Sequence, residues 1–358
     1  MYSYDYLNNF STAIFRKMGC SEKDARSVAR VFLAAELRGL ASHGMIRIID
    51  YYHLKKVNRI NTEPNVRIVH ESPSTAVVDA DNAIGMVGAE ASMRIAIEKA
   101  KNAGTGWVST RNSNHFGIGC YYAMMALEHD MIGITMTNAN PMVAPPGSLE
   151  KLLGTNPIAV AIPALKQPPF VADFSTTAIA RGKLILAAKK GEKIPFGYVQ
   201  DAQGNPSDDP DILSKGGAML PLGGDLQHGS HKGSCLASIV DIFSAVFSGA
   251  NFGPFVPPTG AFAPVPDKQV GEGMGHFFGA MRIDGFQPAE QFKARMDLWI
   301  ETLRNARSIE GQRVIIPGDM ERDMEQKIGK EGISIIPKVA NELKEIATEM
   351  GVEFEVKT

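Results

Sequence analysis

The sequence has little of several features that mark other classes of protein. Its 358 residues include only three cysteines, Cys20, Cys120 and Cys235, and carry a formal net charge of -2. The cysteines form neither a metal-binding spacing nor a disulfide framework, which is typical of a reducing cytosol, so we expect a cytoplasmic protein. The small net charge provides no electrostatic basis for binding nucleic acid or an anionic membrane. No apolar run reaches the roughly 18 residues of a transmembrane helix, and residues 1–11 lack the apolar core of a signal peptide.

What is present is the composition of an ordinary folded protein, with 44% hydrophobic and 21% charged residues. Apolar residues at helical spacing predict helices in residues 1–60, 288–308 and 338–350. Strand patterns alternate with helical patterns in the middle of the chain, which indicates an α/β layer structure. The predicted strands are residues 75–79, 106–110, 132–136, 158–162, 171–174 and 279–283.

The order of these patterns predicts two domains. The helical ends suggest that residues 1–74 and 286–358 pack together as one helical domain, while residues 75–285 form an α/β domain. Residues 61–74 contain two prolines and are predicted to be a polar connection, and residues 251–270 a long irregular loop. Residues 231–248 are apolar at helical spacing, which predicts a buried helix.

The most informative short stretch is SHGMIR, from Ser42 to Arg47. A histidine gives or takes a proton near neutral pH, and an arginine binds a carboxylate through two parallel hydrogen bonds. If the residues from Met45 onwards are helical, His43 and Arg47 lie one turn apart on one face. Such a pair suits a substrate with a carboxylate next to a carbonyl or hydroxyl group. The alternative is a helix capped by Ser42 and followed by an ordinary surface arginine.

A second histidine lies in residues 109–119, STRNSNHFGIG, between a predicted strand and a predicted helix. Ligands of α/β proteins bind beyond the ends of strands, so we expect His115 to face such a crevice. Gly117 and Gly119 allow a close approach of the backbone, and the start of the following helix offers free N–H groups to a phosphate. The alternative is a histidine that caps this helix. No complete GxGxxG motif follows a strand, so the sequence does not support a Rossmann dinucleotide site.

Two further polar regions contain residue types that bind ligands. Residues 136–142 and 153–157 are dense in amides and hydroxyls, which orient polar ligands or simply form turns. In residues 220–234, Lys232 lies among glycines at a helix start and suits a phosphate group. His228 and His231 have the HxxH spacing of a metal pair, but no cysteine or carboxylate nearby completes a site, so we expect no metal.

Taken together, these stretches resemble the malate/L-lactate dehydrogenase family of the sulfolactate dehydrogenase type. The resemblance implies a fold distinct from the Rossmann fold: a mixed sheet with flanking helices, and a helical domain formed by both termini. It also implies that residues 75–285 bind NAD or NADP and that the protein is a homodimer. The matching segments run in order and nearly end to end, through residues 38–48, 109–134, 137–163, 171–195, 221–234 and 271–283.

The resemblance implies an oxidoreductase that transfers a hydride between NAD(P)H and C2 of a small 2-oxo or 2-hydroxy acid, of the malate or L-lactate type. Ser42 and His43 match the family's serine–histidine pair, with His43 as proton donor, and Arg47 matches the arginine that binds the substrate carboxylate. His115 matches a second histidine that is the acid/base in some members, and both histidines stay candidates. Thr155 matches a substrate contact. The implied cofactor contacts are His115, Phe116, Gly117, Ile118, Gly119, Asn138, Asp173, Phe174, Ser175, Arg181, Gly182, His231 and Lys232.

Three alternatives stay open at this point. Within the same fold, the substrate is a cyclic imino acid or a diketo sugar acid instead. In another class, His228, His231 and His276 serve a metal-dependent hydrolase or lyase. The third alternative is a binding protein without catalytic activity.

Overall fold

A computed structural model describes residues 1–357, which contain ten α-helices, one large sheet and one small sheet. None of these helices combines the length and apolarity needed to cross a bilayer. The helices are α1 (Tyr4–Lys17), α2 (Glu22–Leu37), α3 (Arg47–Lys56), α4 (Gly85–Ala103), α5 (Gly119–Met125), α6 (Arg181–Lys190), α7 (Ser230–Asp241), α8 (Ala289–Arg304), α9 (Asp319–Glu331) and α10 (Pro337–Met350). The strands are β1 (Arg67–Glu71), β2 (Thr75–Asp79), β3 (Thr105–Ser113), β4 (Met131–Thr137), β5 (Ile158–Ile162), β6 (Phe170–Phe174), β7 (Val199–Gln200), β8 (Pro206–Ser207), β9 (Ala218–Met219) and β10 (Met274–Arg282).

The large sheet has seven strands in the order β1-β2-β3-β10-β4-β5-β6. Only β2 and β3 run parallel, and every other neighbouring pair is antiparallel, so the sheet is mixed as predicted. All six predicted strands are present. The prediction that residues 61–74 form only a connection is wrong, because β1 lies within them. All five residues of β1 are exposed, so the strand lacks the alternation of buried and exposed residues that reveals a strand in a sequence.

Helix α4 packs closely on strand β3, and a glycine permits the short distance between them. A Cβ atom on Gly106 would lie 1.9 Å from the carbonyl oxygen of Ala96, which no side chain can tolerate. Gly133 of β4 and the carbonyl oxygen of Ala123 in α5 repeat this arrangement, also at 1.9 Å. Both helices therefore lie tightly on the sheet, and the segment between β3 and α5, which contains His115, is held at its end.

The chain termini pack against each other. Tyr2 forms a β-bridge with Ile333, and its ring stacks on Phe354 with 5.6 Å between ring centroids. Helices α1 and α3 both contact α10. This packing is compatible with a helical domain formed from residues 1–74 and 286–358, and its separation from residues 75–285 stays a prediction. Because β1 pairs with β2, we propose that the boundary lies before Arg67.

Two helices of the C-terminal region pack on the edge of the large sheet, and one of them, α9, also packs on α2. In α8, Asp297 accepts hydrogen bonds from the backbone N–H groups of residues 165–167 at 2.8–3.1 Å. Helix α9 has no counterpart among the predicted helices. Its Arg322 donates to the carbonyl oxygen of Pro169 at 2.9 Å, next to the edge strand β6.

Helix α7, continued by a π-helical turn over residues 242–246, corresponds to the helix predicted in residues 231–248. The prediction that it is buried is right for one face only, which includes Val240. The opposite face stays exposed because nothing in residues 1–357 covers it. Four large apolar side chains on it are 42–57% exposed: Ile239, Ile242, Val246 and Phe247.

Candidate active site

The segment from Ser42 to Arg47 does not form the continuous helix that its spacing suggested. Residues Ala41–His43 form a 3-10 turn, Gly44 breaks it, and α3 begins only at Arg47. His43 and Arg47 are therefore not one helical turn apart, and Ser42 does not cap α3. They still come together, because the Nε of Arg47 donates back to the carbonyl oxygen of Ser42 at 2.8 Å.

A buried carboxyl group on α2 holds this segment in place. Glu36 is only 6% exposed and accepts a hydrogen bond from the backbone N–H of Met45 at 2.7 Å. Gly44 passes so close that a Cβ atom there would lie 2.2 Å from Oε1 of Glu36. Burial raises the pKa of Glu36 to about 7, against the opposing effect of the Met45 hydrogen bond. Sequence reasoning missed Glu36, whose only signal is an acidic residue within an otherwise apolar helix face.

We expect Glu36→Gln to stabilise the fold above pH 7 and to change little at low pH. In the unfolded chain this carboxyl loses its proton near pH 4.5, whereas the folded protein keeps the proton up to about pH 7. The Glu36 carboxyl therefore makes its full contribution to the free energy of unfolding of the wild type below pH 4.5. This contribution falls by about 3 kcal/mol as the pH rises to 7. Glutamine avoids this loss and keeps an acceptor for Met45. Urea unfolding across this pH range measures the difference.

The matched control for this prediction is Glu22→Gln, an exposed carboxylate in the first turn of the same helix. It should not reproduce the pH-dependent gain. A difference between Glu36→Gln and wild type that stays constant from pH 4.5 to 8 would contradict the assignment of a proton to Glu36.

His43 and His115 form a pair, as their rings are stacked with 5.6 Å between centroids. The Nδ1 of His43 lies 2.9 Å from the hydroxyl of Ser42, and the Nδ1 of His115 accepts the N–H of Gly117 at 3.4 Å. Within residues 1–357, the Nε2 atoms of both rings have no hydrogen-bond partner. Both Nε2 atoms are thus available to a ligand.

Both imidazoles are neutral at physiological pH. Burial, and after it the charge of Arg47, lowers the pKa of His43 to about 4. Burial also holds the pKa of His115 well below its usual range, with smaller contributions from Arg47 and the neighbouring histidines. A neutral imidazole accepts a proton at its unprotonated nitrogen, so His43 is ready to act as a base.

A small pocket that is lined by His115, but not by His43, lies between α3 and residues 251–270. Arg47 is the one arginine or lysine among its lining residues. The Nη1 of Arg47 lies 2.8 Å from Oδ2 of Asp50, while its Nη2 has no hydrogen-bond partner within the described chain. The pocket therefore presents a guanidinium that can bind an anion. Its lining residues are Arg47, Asp50, Tyr51, Leu54, Asn114, His115, Pro258, Thr259 and Met274.

Tyr51 is a site residue that sequence reasoning missed. Its ring is buried, and its hydroxyl donates to the carbonyl oxygen of His115. The same hydroxyl lies 3.4 Å from Nδ1 of His115. Tyr51 thereby fixes His115 relative to α3. The available signal was its position one helical turn after Arg47, which places both side chains on one face of α3.

The predicted cofactor contacts that are accessible lie around the starts of two helices. Helix α6 begins at Arg181 and α7 at Ser230, and neither start has a side-chain cap. Arg181, His231 and Lys232 are exposed in these first turns. Uncapped N–H groups next to basic side chains suit the phosphates of a dinucleotide.

Two contacts connect the starts of α6 and α7 to the rest of the site. The N–H of Leu222 donates to the carbonyl oxygen of Thr176 at 2.8 Å, which joins the segment after Phe174 and Ser175 to the approach of α7. A Cβ atom on Gly182 would lie 4.0 Å from the Cβ of Ser42, so the start of α6 faces the segment from Ser42 to Arg47. Thr155 does not line the pocket, and its carbonyl oxygen accepts the N–H of Thr176 at 2.9 Å.

The assignment of Asn138 as a cofactor contact needs correction. Its side chain is fully buried, donates to Asp241 at 3.1 Å and to the carbonyl oxygen of Asn251 at 2.8 Å, and accepts the N–H of Gly275 at 3.0 Å. All of its amide atoms are therefore engaged in the interior. Asn138 braces the strand ends of β4 and β10 and is not available to a ligand.

The stretch from Phe116 to Gly119, with Ile118 buried inside it, also serves packing rather than a ligand. The ring of Phe116 stacks on His276 at 4.7 Å, and a Cβ atom on Gly117 would lie 2.6 Å from Val31 of α2. The expected phosphate site at the start of α5 is occupied by Asp173, whose carboxylate accepts the N–H of Cys120 at 2.8 Å. A carboxylate at this position repels a phosphate. We therefore no longer propose Phe116, Gly117, Ile118 and Gly119 as cofactor contacts.

The three histidines of the metal-dependent alternative do not share a site. His276 is buried, with Nδ1 2.8 Å from the hydroxyl of Thr137 and Nε2 2.8 Å from the hydroxyl of Ser113. His228 pairs with Asp225 on the surface at 2.7 Å. Within residues 1–357, no group of three or more His, Cys, Asp and Glu side chains is placed to hold a metal ion. The alternative therefore lacks a set of ligands.

Comparison with known proteins places the chain in a family. The family model described as malate/L-lactate dehydrogenase matches residues 2–344. The chain belongs to the malate/L-lactate dehydrogenase family. A malate dehydrogenase from Pyrococcus horikoshii is 41% identical over 352 residues, which are 98% of this chain and 95% of the relative.

Two further members of the malate/L-lactate dehydrogenase family extend the comparison. The solved structure of sulfolactate dehydrogenase from Methanocaldococcus jannaschii matches with a TM-score of 0.89 at 39% identity, covering 98% of this chain and 97% of that one. A ureidoglycolate dehydrogenase (NAD(+)) from Escherichia coli K12 is 30% identical over 322 residues, 90% of this chain and 88% of the relative. The predicted family and fold class are confirmed. The protein is an oxidoreductase that acts on a small 2-hydroxy acid with a nicotinamide cofactor.

Proposed function

We propose that this family member transfers a hydride between NAD or NADP and C2 of a malate- or L-lactate-type acid, with His43 as acid/base and Arg47 as the carboxylate anchor. The observation that carries the proposal is the meeting of two neutral histidines and one arginine in a single place. The ring centroids of His43 and His115 are 5.6 Å apart, and the Nε of Arg47 donates a hydrogen bond to the carbonyl oxygen of Ser42. This set matches the carboxylate and the C2 oxygen of a 2-hydroxy acid.

Arg47 binds the substrate carboxylate in this proposal, at about 1.5–3 kcal/mol for a charge-assisted hydrogen bond. The bound carboxylate offsets the positive charge of Arg47. That charge is the second cause, after burial, of the low pKa of His43, so substrate binding raises the pKa of His43 toward neutrality. Binding therefore prepares His43 to exchange a proton at physiological pH.

His43 takes the proton of the C2 hydroxyl through Nε2 during oxidation and returns it to the carbonyl oxygen during reduction. The hydroxyl oxygen of Ser42 suits both directions, because it accepts from Nδ1–H when the neutral ring takes a proton at Nε2 and also when the protonated ring returns that proton. His115 accepts the N–H of Gly117 at Nδ1 and so carries its own proton on Nε2. From there it donates a hydrogen bond to the C2 oxygen and stabilises developing negative charge.

The nicotinamide ring, when bound, supplies the hydride or accepts it. The residues that fit its phosphates are Arg181, His231 and Lys232, at the uncapped starts of α6 and α7. Phe174, Ser175 and Gly182 line the way from there to Ser42, and together they would orient the cofactor toward the histidines.

The oxidation of NADH and of NADPH with oxaloacetate, pyruvate and a cyclic imino acid tests the proposal. We expect turnover with oxaloacetate or pyruvate, and the faster cofactor identifies the physiological form. Turnover with the imino acid alone would move the enzyme to the imino acid reductase branch. Absence of turnover with every acid would contradict the proposed reaction.

We also propose a cytoplasmic homodimer, as the family resemblance implies. The cysteines of the chain are free thiols, in keeping with a reducing compartment. The exposed apolar face of α7 offers a surface that a second copy would bury. A light-scattering mass equal to one chain of 38.7 kDa would contradict the dimer.

A further inference from the structure

One wall of the substrate pocket comes from neither α3 nor His115. Pro258 and Thr259 line the pocket together with Arg47 and Leu54 of α3. If the substrate carboxylate binds Arg47 and its C2 lies against the histidines, the group on C3 lies against this wall. We call residues 257–263 the outer loop.

The outer loop has little internal structure to hold it in place. Its first two residues are prolines and have no N–H to donate. Its one internal backbone hydrogen bond runs from the N–H of Ala263 to the carbonyl oxygen of Gly260 at 3.3 Å. The position of the loop must therefore come from contacts with other parts of the protein.

Arg59, just beyond the end of α3, makes these contacts. Its Nη2 donates to the carbonyl oxygen of Pro258 at 2.7 Å, and its Nη1 donates to those of Gly260 at 3.1 Å and Ala263 at 3.4 Å. Within residues 1–357, no carboxylate forms an ion pair with the guanidinium of Arg59. Burial lowers the pKa of Arg59. A partly buried cation without an acidic partner is costly unless its donors are satisfied, and here the loop carbonyls satisfy them.

Arg59 is itself anchored on the pocket side. Its backbone N–H donates to the carbonyl oxygen of Leu54 at 2.9 Å, and its carbonyl oxygen accepts from the amide of Asn82 at 3.2 Å. Leu54 lines the pocket. Another contact between the loop and α3, the ring of Phe262 with its centroid 5.1 Å from that of His53, is largely exposed and constrains the loop less.

We infer that Arg59 is a positioning residue that sets the distance between the outer loop and α3, and so decides which group on C3 of the acid is accepted. The inference rests on the proposed function, because it assumes that a 2-oxo or 2-hydroxy acid occupies the pocket. Arg59 does not touch this acid. It acts through Pro258 and Thr259, which form the wall.

The test compares Arg59→Ala and Arg59→Lys with wild type on pyruvate, oxaloacetate and a bulkier 2-oxo acid. We expect Arg59→Ala to lower kcat/KM for the preferred acid by about tenfold, mainly through KM, and to reduce the preference for it over the others by a similar factor. Lysine reaches fewer of the carbonyls and should keep part of the preference. Added guanidinium ion should restore part of it in Arg59→Ala only.

The matched control is Arg282→Ala. Arg282 also donates to a backbone carbonyl, that of Lys101 at 3.1 Å, but at the opposite end of β10 from the pocket residue Met274. Its removal should leave the preference unchanged. If Arg59→Ala lowers kcat/KM equally for every acid, its role is merely structural and the inference is overturned.

A double-mutant cycle with Thr259→Ala tests whether Arg59 acts through the wall. Two residues that act on one contact have non-additive effects. The change in preference caused by Arg59→Ala should therefore be smaller in the Thr259→Ala background than in wild type. Strictly additive changes would overturn the inference.

Amide hydrogen exchange of the outer loop separates this inference from the proposed function, because it needs no turnover. We expect faster exchange at residues 259–263 in Arg59→Ala and unchanged exchange in Arg282→Ala. Faster exchange in a protein that turns over no acid would contradict the proposed function while supporting Arg59 as the anchor of the loop. Unchanged exchange in Arg59→Ala would overturn the inference.

Discussion

Replacing His43 with glutamine should lower kcat by about 10²–10⁴-fold, which is the contribution of a well-placed acid/base. Glutamine retains a polar group near Ser42 but cannot exchange a proton near neutral pH. The affinity for NADH should change little, because the residues that fit the cofactor lie at the starts of α6 and α7. Steady-state kinetics in both directions, together with the shift in Tm on adding NADH, measure both quantities.

The pH profile makes this prediction specific to His43. In wild type, kcat/KM for oxidation should be flat at neutral pH and fall toward acid, with a midpoint near the pKa of His43, about 4. The reason is that the free enzyme must hold His43 neutral to accept the hydroxyl proton. In His43→Gln the contribution of His43 to this limb should disappear, which leaves only the titration of the substrate carboxyl that binds Arg47.

His115→Gln is the matched comparison. It removes a hydrogen-bond donor to the C2 oxygen, so kcat should fall by about 10²–10³-fold while the acid limb of the profile persists. If His115→Gln abolishes the limb and His43→Gln preserves it, the roles of the two histidines are the reverse of those proposed.

Replacing Arg47 with lysine should raise KM for the acid by about 10- to 150-fold, the equivalent of 1.5–3 kcal/mol, with a smaller effect on kcat. Lysine keeps the charge but lacks the planar fork that binds a carboxylate through two hydrogen bonds. It also cannot contact Ser42 and Asp50 at the same time, as the Nε and Nη1 of Arg47 do. Initial-rate kinetics over a range of acid concentrations measure this change.

Arg47→Gln extends the same test to electrostatics. Removing the charge should move the acid limb of the profile to higher pH, because burial alone would then depress the pKa of His43. Arg67→Lys is the control for Arg47→Lys, because Arg67 pairs with Asp79 in the sheet, outside the pocket. If Arg47→Lys keeps the wild-type KM, the proposal that Arg47 binds the substrate carboxylate is contradicted.

The sequence predicted those elements whose burial leaves a periodic trace. Strand β5, Ile158–Ile162, has the predicted bounds because its residues are mostly buried and apolar. Strand β1 was missed because its five residues are all exposed, and α7 was predicted to be fully buried because apolar spacing does not reveal whether a partner covers a helix face. Periodicity records which residues are apolar, and burial depends on what packs against them.

The sequence by itself determined the chemistry of the site: a histidine and an arginine in the SHGMIR stretch, and a second histidine after a strand. Residue type and local order suffice for that, because ionisation and hydrogen-bonding capacity belong to each side chain. Only the tertiary structure decided which side chains are available. It engages Asn138 in the interior, and it brings Glu36 to Met45 and Arg59 to the outer loop. Hydrogen-bond partners and burial arise between residues far apart in the chain, and no local pattern encodes them.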